Sequence, residues 1–315
     1  MIVRPLIGLA VACSLAGCTG ASELAESEPA AISSPPAPSA AAAPSIAPAA
    51  SDVVHDLRTG IESPLPDAIQ ALGGSNYDLS PDGTKLAFDA YIDGYSQVMV
   101  ASRNGTWARQ VTHRRCDASD PRWSPSGDRL VYECGKTILV TNLSRGHTVR
   151  LTGRYGLLEQ PSFMADGRRV LFTRITPKHT DLWTAPSRGG RSTLLVAEAA
   201  WGVPSPMGRT IAFHRIQGTI EPTAWGPYQR GLTLVDIDGS PPRPLNGPHG
   251  WTMAPTDWSY QRPRWSPNGT MIAYNFSTPH PAWVKVVRVS DGRVVRQFEG
   301  ASPNWLDDHT VIIER

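Results

Sequence analysis

The sequence predicts an all-β protein, a six-bladed β-propeller of four-stranded antiparallel blades. Three observations carry that prediction. One hairpin phrase recurs along the chain, each copy is followed by a second pair of strand-like runs, and the two outermost strand-like regions complement each other. A repeat of this kind reports architecture more directly than it reports a ligand.

The phrase reads LSPDGTKLAF at 79–88, WSPSGDRLVY at 123–132, FMADGRRVLF at 163–172, PSPMGRTIAF at 204–213 and WSPNGTMIAY at 265–274. A degraded copy, WLDDHTVIIE, occupies 305–314. Each copy is a strand, a tight turn and a returning strand. Pro81, Pro125, Pro206 and Pro267 preset φ for the first turn position, and the following glycines accept the left-handed conformation that such turns need. The returning strands place Leu86 and Phe88, Leu130 and Tyr132, or Ile272 and Tyr274 two residues apart, on one face.

The second strand pairs follow in turn. They are QVMVAS with ARQVT, TILVTNL with TVRLT, GLTLVDI with PRPL, and VKVVRVS with VVRQF, joined by Gly-, Ser-, Asp- and Asn-rich connectors. Four short strands per repeat make a propeller blade. The turn column falls at Pro81, Pro125, Ala165, Pro206, Pro267 and Asp307, spaced by about 40 residues except for one interval of about 60. The longer interval is too short for two blades, so it reads as one blade with extra loop residues. The sixth hairpin lacks its outer strands. VVHDL (53–57) and IESPL (61–65) mimic VVRVSDGRVVRQF (286–298), so residues 53–65 are expected to complete that blade and close the ring.

Residues 1–18 read as a secretory signal ending in Leu15-Ala16-Gly17-Cys18, with Arg4 before an apolar stretch too short to span a bilayer. The ending resembles a bacterial lipobox, which implies that Cys18 carries lipid. Residues 19–51 are dominated by Ala, Pro and Ser and read as a semi-extended tether, leaving 52–315 as the propeller. An exported, lipid-anchored protein facing the periplasm or cell exterior is therefore expected. With 18 % charged residues and a formal net charge of +2, no polyanion partner is implied and nucleic acid is not expected. Cys116 and Cys134 flank the second hairpin; a disulfide is expected in an oxidising compartment, with two free thiols as the alternative.

The repeated Ser-Pro-Asp-Gly hairpin, preceded by an aromatic or Leu and followed by an apolar-Ala-aromatic strand, resembles the propeller repeat of the TolB family. The resemblance covers 52–315 and implies the fold. TolB carries an additional N-terminal α/β domain, whereas that region here reads as signal and tether. Related repeats occur in prolyl-oligopeptidase-type propellers, but the G-x-S-x-G elbow of their hydrolase domain does not occur in this sequence.

The insertions all fall on the rim opposite the Ser-Pro-Asp-Gly turns, at 216–231, 247–262 and 277–283 in blades four and five. They hold Trp225, Tyr228, His249, Trp251, Asp257, Trp258, Tyr260, Arg262, His280 and Trp283. Clustered Trp and Tyr offer rigid contact area with a polar handle, so these residues are the candidate binding set for an envelope protein, peptide or glycan. Their alternative role is to cover their own loops. Trp123, Trp265 and Trp305 recur in the repeat itself and read as core. A monomer without cofactor, metal or catalytic residues is expected. The alternative is a metal-assisted carbohydrate lyase or hydrolase using His113, His179, His214, His249 and His280 at the ring centre, although no two of these stand at a ligand spacing.

Overall fold

The computed structural model describes residues 52–65, 70–71, 73–151, 156–217, 228–245, 252–253, 262–277 and 282–314. The chain divides into two units, 1–47 and 48–315, and every described residue lies in the second. Cys18 and the expected tether lie outside the described residues.

Six antiparallel sheets make the ring. Blade one starts with Gly74–Leu79, blade two with Ala118–Trp123, blade three with Leu157–Phe163, blade four with Ala199–Pro204 and blade five with Arg264–Trp265. Each then adds three strands outward in chain order. Blade six joins the two outermost regions: Ala301–Trp305 pairs with Thr310–Glu314, which pairs with Val53–Asp56, and Glu62–Pro64 forms the outer edge. Val53 lies opposite Ile313 and Asp56 opposite Thr310. The expected closure by 53–65 is therefore present.

The hairpins form as their residues dictate. In blade one, the Gly83 N–H donates to Ser80 O at 2.8 Å, and the Ser80 hydroxyl accepts the Lys85 N–H at 2.9 Å. The same serine clasp recurs at Ser124 and Ser266. Gly83, Gly127, Gly167, Gly208 and Gly269 all sit at φ between 64° and 76°. Each turn is a type I turn ending in a left-handed fourth residue, set in a hairpin whose first paired residues stand five apart, as Ser80 and Lys85 do.

The core lies between blades. On the second strand of blade two, Leu130 and Tyr132 pack toward blade one, while Val131 packs toward blade three. Leu306 and Ile312 of blade six pack with Leu86 and Phe88 of blade one, so apolar packing runs across the closure. The pre-turn tryptophans are buried as expected, and each also donates its indole N–H to the preceding blade. Trp123 Nε1 reaches Asp78 O at 3.1 Å, Trp265 reaches Val203 O at 2.9 Å, and Trp305 reaches Arg264 O at 2.9 Å.

Blade four differs from its reading as a blade with a plain loop insertion. Its second and third strands, Thr210–Gln217 and Tyr228–Asp236, are long, and Thr252–Met253 pairs with Tyr228–Gln229 as a fifth strand. The extra strand covers backbone that the lengthened hairpin would otherwise leave as an open edge. Cys116 and Cys134 form a disulfide with Cα atoms 5.5 Å apart. Closing this loop stabilises the fold by about 3 kcal/mol.

Candidate functional site

The innermost strands line an axial channel, and the repeat sets which side chains enter it. Three residues before the pre-turn position stand Asn76, Asp120, Gln160, Trp201, Arg262 and Ser302; one residue before it stand Asp78, Arg122, Ser162, Val203, Arg264 and Asn304. Asn76, Asp120, Gln160, Trp201 and Ser302 have φ between 46° and 56°, and each innermost strand shifts register there. A left-handed non-glycine residue costs about 1–2 kcal/mol. Five such residues in one column mark a built bulge that turns polar groups toward the axis.

The bulge N–H groups are captured by the preceding blade. Asp89 Oδ1 accepts the Asp120 N–H at 3.1 Å, and Glu133 Oε1 accepts that of Gln160. Thr173 Oγ1 accepts the Trp201 N–H at 2.9 Å, and Glu314 Oε1 accepts that of Asn76 at 3.1 Å across the ring closure. Each acceptor occupies the same repeat position, directly after the buried aromatic or Ile of the second strand. These side chains thus offset the backbone strain and tie blade to blade.

At the centre, Asp120 accepts hydrogen bonds from Arg122 Nη2 and Arg262 Nη1, and Arg264 Nη2 approaches to 3.6 Å. Arg262 also donates to Pro161 O and Ser162 Oγ, and Arg122 donates to Asn76 O at 3.1 Å. This network joins blades one, two, three and five through one carboxylate. Burial alone would raise the Asp120 carboxyl, but Arg122 and Arg262 outweigh it and hold it below its ordinary value. Burial lowers Arg262 to about 10 in spite of Asp120. Away from the guanidinium groups the balance reverses. Burial, reinforced by the charge of Asp120, raises Glu133 to about 8 and Glu159 to about 7, and burial raises Glu314 to about 7.

On the turn side of this plug, a cavity of about 610 Å³ receives residues from all six blades. Its wall carries Asp78, Asp82, Asp307 and Asp308 against Arg103, Arg122 and Arg264, with the Trp123 and Trp265 rings between them. Arg103 and Asp307 pair at 3.5 Å across the mouth. The arrangement suits a ligand that presents both charges and an apolar surface.

Of the sequence-predicted set, Trp225, His249, Trp251, Asp257, Trp258, Tyr260 and His280 lie outside the described residues. Tyr228 is placed by its backbone in the third strand of blade four, and Trp283 is half-buried in the third strand of blade five. Arg262 is buried in the channel, bonded to Asp120, Pro161 and Ser162. Among the histidines, His113 and His179 are exposed, whereas His214 is buried, with its ring 5.9 Å from that of Trp201 and 6.2 Å from that of Tyr274. Among the described residues, no three His, Cys, Asp or Glu side chains gather in an arrangement that holds a metal. The sequence reading missed the channel set. Aligning the residues one and three before each turn aromatic would have exposed it, because charges occupy positions facing neither core nor solvent.

The fold and site define a propeller whose ring is complete and whose axis is filled by an ion network. The family model for the TolB β-propeller domain matches residues 76–305, and the chain belongs to that family. An uncharacterized protein of Agrobacterium fabrum is 25 % identical over 214 residues, covering 64 % of this chain and 69 % of that protein. TolB from Acinetobacter baumannii superposes with a TM-score of 0.59 at 16 % identity; the match covers 84 % of this chain and 63 % of that one. A candidate TolB from Agrobacterium tumefaciens gives 0.60 at 17 % identity, covering 84 % of this chain and 96 % of its own. These structural likenesses are likenesses of fold.

Proposed function

We propose that the protein is a non-enzymatic binding propeller of the bacterial envelope, exported and anchored by lipid on Cys18, that captures a protein, peptide or glycan. The observation that carries this reading is the turn-side mouth: six blades contribute to one cavity, and the Asp120 network closes its floor. A ligand there meets both charges and two indole rings without passing through the ring. The Cys116–Cys134 disulfide supports export, since such bonds persist in oxidising compartments. Membership of the TolB propeller family supports an envelope role.

A second surface, the loop rim of blades four and five, is favoured by the fifth strand of blade four, which builds the insertion onto a sheet. Two variants separate the surfaces. Asp82→Arg with Asp308→Arg reverses charge at the mouth, and Trp225→Ala with Trp251→Ala and Trp258→Ala strips the rim. Pull-downs from detergent-solubilised envelopes should lose the partner with the first variant and keep it with the second. Loss with the second variant alone assigns the rim instead, and unchanged capture by both folded variants refutes the binding reading.

A further inference from the structure

Where blade two meets blade three, three arginines converge on a cavity of about 450 Å³ that shares no residue with the axial mouth. Arg129 opens the second strand of blade two, Arg168 follows the turn glycine of blade three, and Arg188 sits in the turn between the third and fourth strands of blade three. At the corresponding places the other junctions carry other combinations. Blades one and two offer Lys85, Asp128 and Ser144, and blades four and five offer Thr210, Thr270 and Ser290. The repeat therefore does not require arginine here.

Arg129 is held in place rather than free to follow solvent. Its Nη1 donates to Ser187 Oγ at 3.0 Å and its Nη2 to Gly167 O at 2.9 Å, while its guanidinium lies 5.1 Å from the centre of the Phe163 ring. Each Nη carries a second N–H beyond these bonds, so Arg129 keeps donor capacity as well as charge at the cavity wall. Arg168 and Arg188 are exposed and complete the cluster. Two carboxylates stand nearby. Asp166 lines the cavity with its Oδ1 already accepting the Arg168 N–H at 2.9 Å, and Asp128, 3.5 Å from Arg129 Nε, accepts the hydroxyls of Ser124 and Ser126. Three guanidinium groups against these engaged carboxylates leave a net positive pocket.

The geometry points to an oxyanion site for a phosphate group, with Arg129 as the fixed cation of its wall and Arg168 and Arg188 as closing arms. The size of the cavity admits a phosphomonoester with part of its carrier. The proposal is independent of the axial mouth. It is tested by calorimetric titration of the purified full-length chain with inorganic phosphate at constant ionic strength. Phosphate should bind in the millimolar range or tighter, Arg168→Ala with Arg188→Ala should weaken it by at least about tenfold, and Asp166→Asn should tighten it. Both arginines are exposed, so the double variant leaves the fold intact, which its melting curve checks. No phosphate binding, or binding unchanged in the folded double variant, overturns the proposal. Vesicles of phosphatidic acid then compete against vesicles of phosphatidylcholine for the bound phosphate. Displacement by the first alone assigns a lipid headgroup, no displacement assigns a soluble phosphate, and equal displacement by both overturns a phosphate-specific site.

Discussion

At the scale of single residues, the channel separates two kinds of buried carboxylate. Asp120 is charged and paired, and removing its charge strands Arg122 and Arg262 in the interior. Asp120→Asn should therefore cost about 3–5 kcal/mol in denaturant unfolding, more than any surface ion pair here. Glu133, Glu159 and Glu314 are the opposite case, raised to about 8, 7 and 7 by burial. In the unfolded chain they release protons near pH 4.5, while the folded chain keeps them until pH 7–8. Their contribution to stability is whole below pH 4.5 and is lost as pH rises through that window, by at most about 1.4 kcal/mol per unit for each group. Exposed Asp82, lowered by the Ser80 and Thr84 hydrogen bonds, acts in the other direction below its ordinary value. The melting temperature should thus peak near pH 5 and fall toward pH 8. Glu133→Gln, whose amide oxygen still accepts the Gln160 N–H, should flatten that fall and exceed the parent at pH 8.

At the scale of elements, the hairpins were legible because turn chemistry is local. Ser-Pro-x-Gly names the serine clasp, the preset φ and the left-handed residue within four positions. The pre-turn tryptophans were legible as core for the same reason, although their indole bonds to the previous blade were not. The bulges were invisible: Asn76, Asp120, Gln160, Trp201 and Ser302 share a backbone conformation but no chemistry. At the first four, what fixes it is a side-chain acceptor on another blade, which no local pattern records. Arg262 shows the same limit. It stands at the end of an aromatic insertion, yet its partner Asp120 comes from blade two. The disulfide belongs to this scale as well. Replacing Cys116 and Cys134 together by serine should lower stability by about 3 kcal/mol, read as a lower denaturation midpoint with a somewhat steeper slope, because the uncrosslinked denatured chain is less compact.

At the scale of the whole molecule, the ring depends on Val53–Asp56 pairing with Thr310–Glu314. Removing residues 52–65 should expose that strand as a free edge and uncover Leu306 and Ile312. The outcome expected is self-association in size-exclusion chromatography and a broadened thermal transition. The closing pair also sets the order of events in the cell. Five blades can condense from neighbouring sequence as synthesis proceeds, while the sixth waits for residues some 250 positions downstream of its first strand, a pairing of high contact order. Until the last hairpin clears the ribosome, Val53–Asp56 has no place to dock. The nascent protein therefore spends its synthesis as an unclasped necklace, dependent on whatever shields its two loose beads.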